Sequence, residues 1–131
     1  MTTSVTAYLT CDGAAQAIDF YRAAFDAAEL SRLEDTDGRI GHAEIRIGET
    51  TLYVSDEYPE LQVLGPLRRG GASAAYVIHV PDADSSFDRA VKAGATVQRP
   101  LQDNPFGRSG WIVDPWGHRW SIMTDAAVDG A

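Results

Sequence analysis

The chain has 131 residues, 44% hydrophobic and 23% charged, with a formal net charge of −8. That is enough for one globular domain around one core. The acidic balance excludes the basic footprint that nucleic acids and anionic membranes demand, so neither is expected as a partner. The single cysteine, Cys11, has no mate for an internal disulfide. With no charged-then-apolar leader and no apolar run of transmembrane length, a cytoplasmic protein is expected.

Residues 4–11 alternate Val5, Ala7, Leu9 and Cys11 with Thr6, Tyr8 and Thr10, the period of a half-buried strand. Asp12-Gly13 ends it and opens a helix, on which Ala17, Ile18, Tyr21, Ala24 and Phe25 form one apolar face. Asp35-Thr36-Asp37-Gly38 reads as a hairpin turn between strands 28–34 and 39–47. A second turn at Ile47–Thr50 leads into strand 51–55. Residues 56–73, with Tyr58-Pro59, Gly65-Pro66 and Arg68-Arg69-Gly70-Gly71, read as an irregular, mobile connection. Strand 74–80 follows. Asp82 or Asp84 then caps a helix with Phe87, Ala90 and Val91 inward and Gly94 just past its end. Strands at 96–99, 109–113 and 118–124 complete the chain, the last two joined by the tight turn Asp114-Pro115-Trp116-Gly117. The tail from Asp125 is expected to fray.

The two halves repeat. A shift of 69 residues places Ile18 on Phe87, Asp19 on Asp88 and Ala24 on Ala93. Each half is strand, helix, strand, strand, strand. The expected fold is therefore α+β: two βαβββ modules (4–55 and 74–124, joined by linker 56–73) forming a curved eight-stranded mixed sheet around a pocket, with helices on the outer face, in a single domain.

The stretches DGAAQAIDFYRAAFDA and DPWGHRWSIM resemble the glyoxalase / bleomycin-resistance / dioxygenase superfamily, also called the vicinal oxygen chelate fold. IGHAEIRIGETTLYVSDE resembles its single-domain, PhnB-like branch. The resemblance covers nearly the whole chain and implies the fold. It does not imply one activity, because this fold hosts lyases, isomerases, dioxygenases, thiol transferases and drug-binding proteins. It also implies a homodimer, with pockets at or near the subunit interface.

Enzymes of this superfamily usually hold a divalent metal with four His or Glu side chains on four strands. The corresponding positions here are Thr6, Tyr53, Ala75 and Ser121. Such residues do not make a divalent-metal site, so no metal and no other cofactor is expected. Strand parity offers one alternative. His42 and Glu44 on strand 39–47 and His79 on strand 74–80 face the concavity and could share it, as a relocated metal site or as acid and base. The plainer reading is a histidine hydrogen-bonded to a carboxylate.

Parity gives a pocket lining led by Tyr8, His42, Glu44, Tyr53, His79, Trp111, Arg119 and Ser121, with Thr6, Thr10, Arg46, Thr51, Ser55, Val77, Val113 and Met123 beside them. Aromatic walls suit a flat ligand, and Glu44 suits a ligand cation. Trp120 reads as core and Trp116 as cover for an edge or a subunit contact. His118 reads as solvated, and Phe106 as an exposed lid or dimer residue. Cys11 points to the helices and has no base, which argues against a nucleophile. The function expected is a metal-free homodimer that sequesters a small aromatic or cationic compound, as antibiotic-resistance proteins do. The alternatives are an enzyme of the same superfamily using His42, Glu44 and His79, and an accessory protein with no pocket chemistry.

Overall fold

The computed structural model describes residues 1–127. The first module runs β1 (Tyr8–Cys11), α1 (Ala14–Phe25), β2 (Ala28–Glu34), β3 (Ile40–Ile47) and β4 (Thr50–Asp56). A connector follows, with a 3-10 turn (Pro59–Leu61) and the short helix α2 (Pro66–Arg69). The second module runs β5 (Ala75–His79), α3 (Ala83–Ala93), β6 (Thr96–Asn104), β7 (Gly107–Val113) and β8 (Arg119–Asp125). The eight strands form two open four-stranded mixed sheets, in the orders β1-β4-β3-β2 and β5-β8-β7-β6. In each sheet the first strand pairs parallel to the last and the other pairs are antiparallel.

The repeat extends to register. Tyr8 pairs with Tyr53, and Tyr53 with Glu44; in the second sheet Val77 pairs with Ser121, and Ser121 with Trp111. The neighbouring residues Leu9, Val54 and Ala43 are fully buried, as are Ile112 and Ile122. Side chains alternate across a strand, so both sheets turn this second set toward the helices. The two helices pack on each other, and Arg89 on α3 donates to the Ala23 carbonyl on α1 at 2.6 Å. One continuous core results, containing Leu9, Ile18, Tyr21, Ile45, Phe87, Ile112, Trp120 and Ile122. The approach of α3 to its sheet depends on Gly110, where a Cβ would lie 2.6 Å from the Phe87 ring.

The helices are capped by different means. At α1 the flanking Gly13 is left-handed (φ 106°) and supplies no side chain. The Asp56 carboxylate at the end of β4 instead accepts from the Gly13 and Ala14 N–H groups, at 3.1 and 2.8 Å. At α3, Asp82 caps its own helix through the Asp84 and Ser85 N–H groups.

Several expectations change. The first strand starts at Tyr8, leaving residues 1–7 outside any strand. Strands β6 and β7 are longer than expected and make Asn104–Gly107 a hairpin tip, with Phe106 exposed upon it. The connector is ordered by specific bonds. Buried Glu57 accepts from the Gly65 N–H at 2.8 Å and pairs with Arg68 at 3.1 Å, and Tyr58 bridges to Val63. Asp125 belongs to β8, while 128–131 of the expected fraying tail lie outside the described residues. His118 is buried, with Nε2 2.9 Å from the Thr10 carbonyl, because the Asp114 turn folds it under β1. Trp116 covers an edge within the chain, donating to the Asp12 carbonyl at 3.0 Å and packing on Phe20. Trp120 is core, as expected.

Candidate functional site

The register of β1, β4 and β3 places Tyr8, Tyr53 and Glu44 in one row on the face away from the helices, with His42 two residues before Glu44. The Tyr8 hydroxyl donates to the Gly41 carbonyl at 3.2 Å and lies 2.7 Å from His42 Nδ1. The three rings meet edge-on, with centroids 5.5 Å (Tyr8–His42), 5.4 Å (Tyr8–Tyr53) and 4.7 Å (His42–Tyr53) apart. His42 Nε2 is 3.7 Å from the Glu44 carboxylate, which accepts from the Ser31 hydroxyl at 3.2 Å. Burial and the neighbouring Tyr53 push the Tyr8 phenol above its ordinary pKa. Four of the expected site residues, Tyr8, His42, Glu44 and Tyr53, therefore form one cluster.

A concavity of about 450 Å³ opens beside Tyr8. Its floor is Thr10 and Ser55 of the sheet, and its far wall is Tyr58, Leu61 and Val63 of the connector. Asp35 and Gly41 close one end. Arg39 fixes this wall. Its guanidinium stacks on Tyr58 with the central carbon 3.9 Å from the ring centroid, and it pairs with Asp37 and Glu60 at 2.8 Å each. Asp35, Gly41, Tyr58, Leu61 and Val63 are site residues that the sequence reading missed. They sit in a turn, a bulged strand start and a connector, where strand parity has no reach. The Tyr58-Pro59 dipeptide was the available signal, an aromatic held in a turn.

The other expected residues lie elsewhere. Trp111, Ser121 and Val77 form the equivalent row of the second sheet, and Arg119 stacks over the Trp111 ring at 4.6 Å while donating to Gln98. The two cavities that reach Tyr8 include none of Trp111, Arg119 and Ser121. His79 is exposed on β5 with Nδ1 2.8 Å from Asp125. It lines a separate groove of about 850 Å³, along β5 and the β3–β4 turn. Grouping His79 with His42 and Glu44 is thus corrected: among the described residues no three His, Cys, Asp or Glu side chains converge as metal ligands. The superfamily positions do not fit a metal either. Thr6 lies ahead of β1, Tyr53 is in the aromatic cluster, Ala75 carries no donor, and Ser121 is buried beside Trp111. Cys11 is fully buried, and burial pushes its thiol up, away from reactivity.

Comparison with known proteins decides the family. The model of the Glyoxalase/Bleomycin resistance protein/Dioxygenase superfamily matches residues 4–122. The chain belongs to this superfamily. It is 41% identical over 123 residues to Mb0911c of Mycobacterium bovis, covering 91% of this chain and 81% of that one. It is 31% identical over 116 residues to the anthracycline biosynthesis protein DnrV of Streptomyces peucetius, covering 88% of this chain and 38% of that one. Among solved structures, TioX from Micromonospora sp. ML1 superposes with a TM-score of 0.71 at 26% identity, covering 96% of this chain and 98% of that one. No helix among the described residues is long and apolar enough to cross a membrane.

Proposed function

We propose that this superfamily member is a metal-free binding protein that holds a small, flat aromatic compound on the open face of its first sheet. The observation that carries this reading is the concavity of about 450 Å³ between Tyr8 and the ordered connector. It combines aromatic and aliphatic walls with a few placed polar groups, the composition of a small-molecule site. The cluster behind it, Tyr8, His42 and Tyr53, is cross-linked by a hydrogen bond and three edge-on contacts, so the wall is preformed. The likeness to DnrV points the same way, since an anthracycline is a fused aromatic ring system.

The protein acts as a homodimer. Strands β1 and β5 are each at a sheet edge, and Tyr8 and Val77 beside those edges are half exposed. A two-fold pairing of these edges would bring each Tyr8 cluster toward the partner's Trp111 row, which one chain keeps on a separate sheet. Light scattering should return twice the mass of the chain.

Calorimetric titration with acridone, a neutral planar ring system, tests the binding. A dissociation constant in the micromolar range is expected, about tenfold weaker in Tyr8→Ala. No binding at millimolar acridone would overturn the reading, and so would a stoichiometric metal in the purified protein. Acid–base chemistry is the second reading, favoured by His42 lying between Tyr8 and Glu44. It requires a turnover that His42→Gln abolishes while ligand binding survives.

A further inference from the structure

Asp35 sits at one end of the cavity beside Tyr8, on the turn between β2 and β3. Its backbone is fixed on both sides: its N–H donates to the Arg39 carbonyl at 2.7 Å, and its carbonyl accepts from the Gly38 N–H at 3.0 Å. One carboxylate oxygen, Oδ2, accepts from the Tyr58 hydroxyl. The other, Oδ1, has no hydrogen-bond donor among the described residues, and no Lys, Arg or His among them pairs with this carboxylate. Gly41 keeps the approach open. A Cβ there would stand 3.5 Å from both Asp35 oxygens and 3.3 Å from the Tyr58 hydroxyl, filling the space next to the carboxylate.

The surroundings keep the negative charge uncompensated. Arg39 is the nearest cation on this turn, and it is engaged by Asp37 and by both oxygens of Glu60. Asp37 and Glu60 thus take up the Arg39 guanidinium outside the cavity, and Asp35 is the carboxylate that lines it. Glu44, the sequence-based choice for holding a cation, is outside the cavity lining and is already approached by Ser31 and His42.

Building on the proposed aromatic site, we infer that Asp35 is its charge-selecting residue. The compound taken is then a planar aromatic carrying a protonated amine or similar cation, with the cation on Asp35 Oδ1 in the space left by Gly41 and the rings between Tyr8 and Tyr58. A carboxylate with one oxygen held by a phenol and the other free gives such a cation a charge-assisted hydrogen bond beside the aromatic wall that takes the rings.

Two dyes of similar shape and different charge test this: proflavine, a planar cation at neutral pH, and neutral acridone. The wild-type protein should bind proflavine about tenfold more tightly than acridone, with the preference shrinking as salt is raised. Asp35→Asn should bring proflavine to the affinity of acridone and leave acridone unchanged. Tyr58→Phe cuts the same Asp35–Tyr58 bond but keeps the charge, so it should retain the preference, as should Glu44→Gln. Equal binding of both dyes by the wild type, insensitive to salt, would overturn the assignment without needing any variant to fold. A preference that survives in Asp35→Asn would overturn it too, and in either case the aromatic site would stand. Binding of neither dye would overturn the proposed function and this inference together.

Discussion

The two sheets share a register and finish their open faces differently. In the first, the row Tyr8–Tyr53–Glu44 is joined to His42 and Ser31 by hydrogen bonds and edge-on ring contacts. In the second, the equivalent row Val77–Ser121–Trp111 holds one hydroxyl, and its charge comes from Arg119 stacked on the indole. The β3–β4 turn ends in exposed Gly48, Glu49 and Thr50, whereas the β7–β8 turn is buried against the other module. A repeated backbone thus preserves where each side chain stands and which way it faces. It leaves the chemistry at each position free, so one half can become a site while the other becomes a fastening.

The fastening is where the difference should break most visibly. Asp114 is 3% exposed and accepts four hydrogen bonds: Tyr21 Oη at 2.5 Å, Trp120 Nε1 at 3.0 Å, and the Trp116 and His118 N–H groups at 3.0 Å. Two of the side chains around it, Tyr21 and Trp120, lie on different modules. Asp114→Ala strands these donors in the core and should cost about 3–5 kcal/mol in urea denaturation. Glu49→Ala, in the equivalent turn of the first module, should stay within about 0.5 kcal/mol. Similar costs for the two would mean that the turns share the work of joining the modules.

The caps sharpen the same comparison. Asp56 accepts from the N–H groups of Gly13, Ala14 and Ile40, the last at 2.7 Å, and so ties β4 to both α1 and β3. Asp82 serves its own helix only, and Thr124 takes the Ala83 N–H at 2.8 Å. Asp56→Ala should cost about 2 kcal/mol and Asp82→Ala about 1 kcal/mol. Hydrogen exchange would then speed up at Ile40 in the first variant and not in the second. Equal costs, with exchange confined to the helix N-terminus, would reduce Asp56 to an ordinary cap.

The fold was legible because it rests on period and repetition. Leu9, Ile45, Ile112 and Ile122 mark the buried faces by alternation, and Ile18 and Phe87 mark the paired helices. Half of the site was legible on the same grounds, since Tyr8, His42, Glu44 and Tyr53 share one face of neighbouring strands. Parity says which face a residue takes and not how far apart two strands lie. That is why His79, correctly oriented, was grouped with residues of another sheet. Asp35, Tyr58 and Leu61 were out of reach because turns and connectors have no period; their positions follow from Arg39, Asp37 and Glu60 pinning one loop on another. His118 reads as a solvated turn residue until the Asp114 carboxylate bends the chain around it.

Tyr58 gives the smallest effect, and one that reads the first module's open face alone. Its hydroxyl donates to Asp35, and that bond, with a smaller contribution from burial, raises its pKa from the ordinary 10.0 to about 12. An acid with a raised pKa in the folded state favours folding in its neutral form. This contribution is complete below pH 10, where the unfolded phenol is neutral, and fades as pH rises through about 12. Since Tyr58 lies near solvent, the loss is modest and should appear only as a difference between wild type and Tyr58→Phe across that alkaline window. Ultraviolet titration should place one phenol near 12 in the wild type and return it toward 10 in Asp35→Asn. If the high phenol that Tyr58→Phe removes from the wild-type titration stays high in Asp35→Asn, the shift belongs to burial and Asp35 is no longer the anchor of the connector wall.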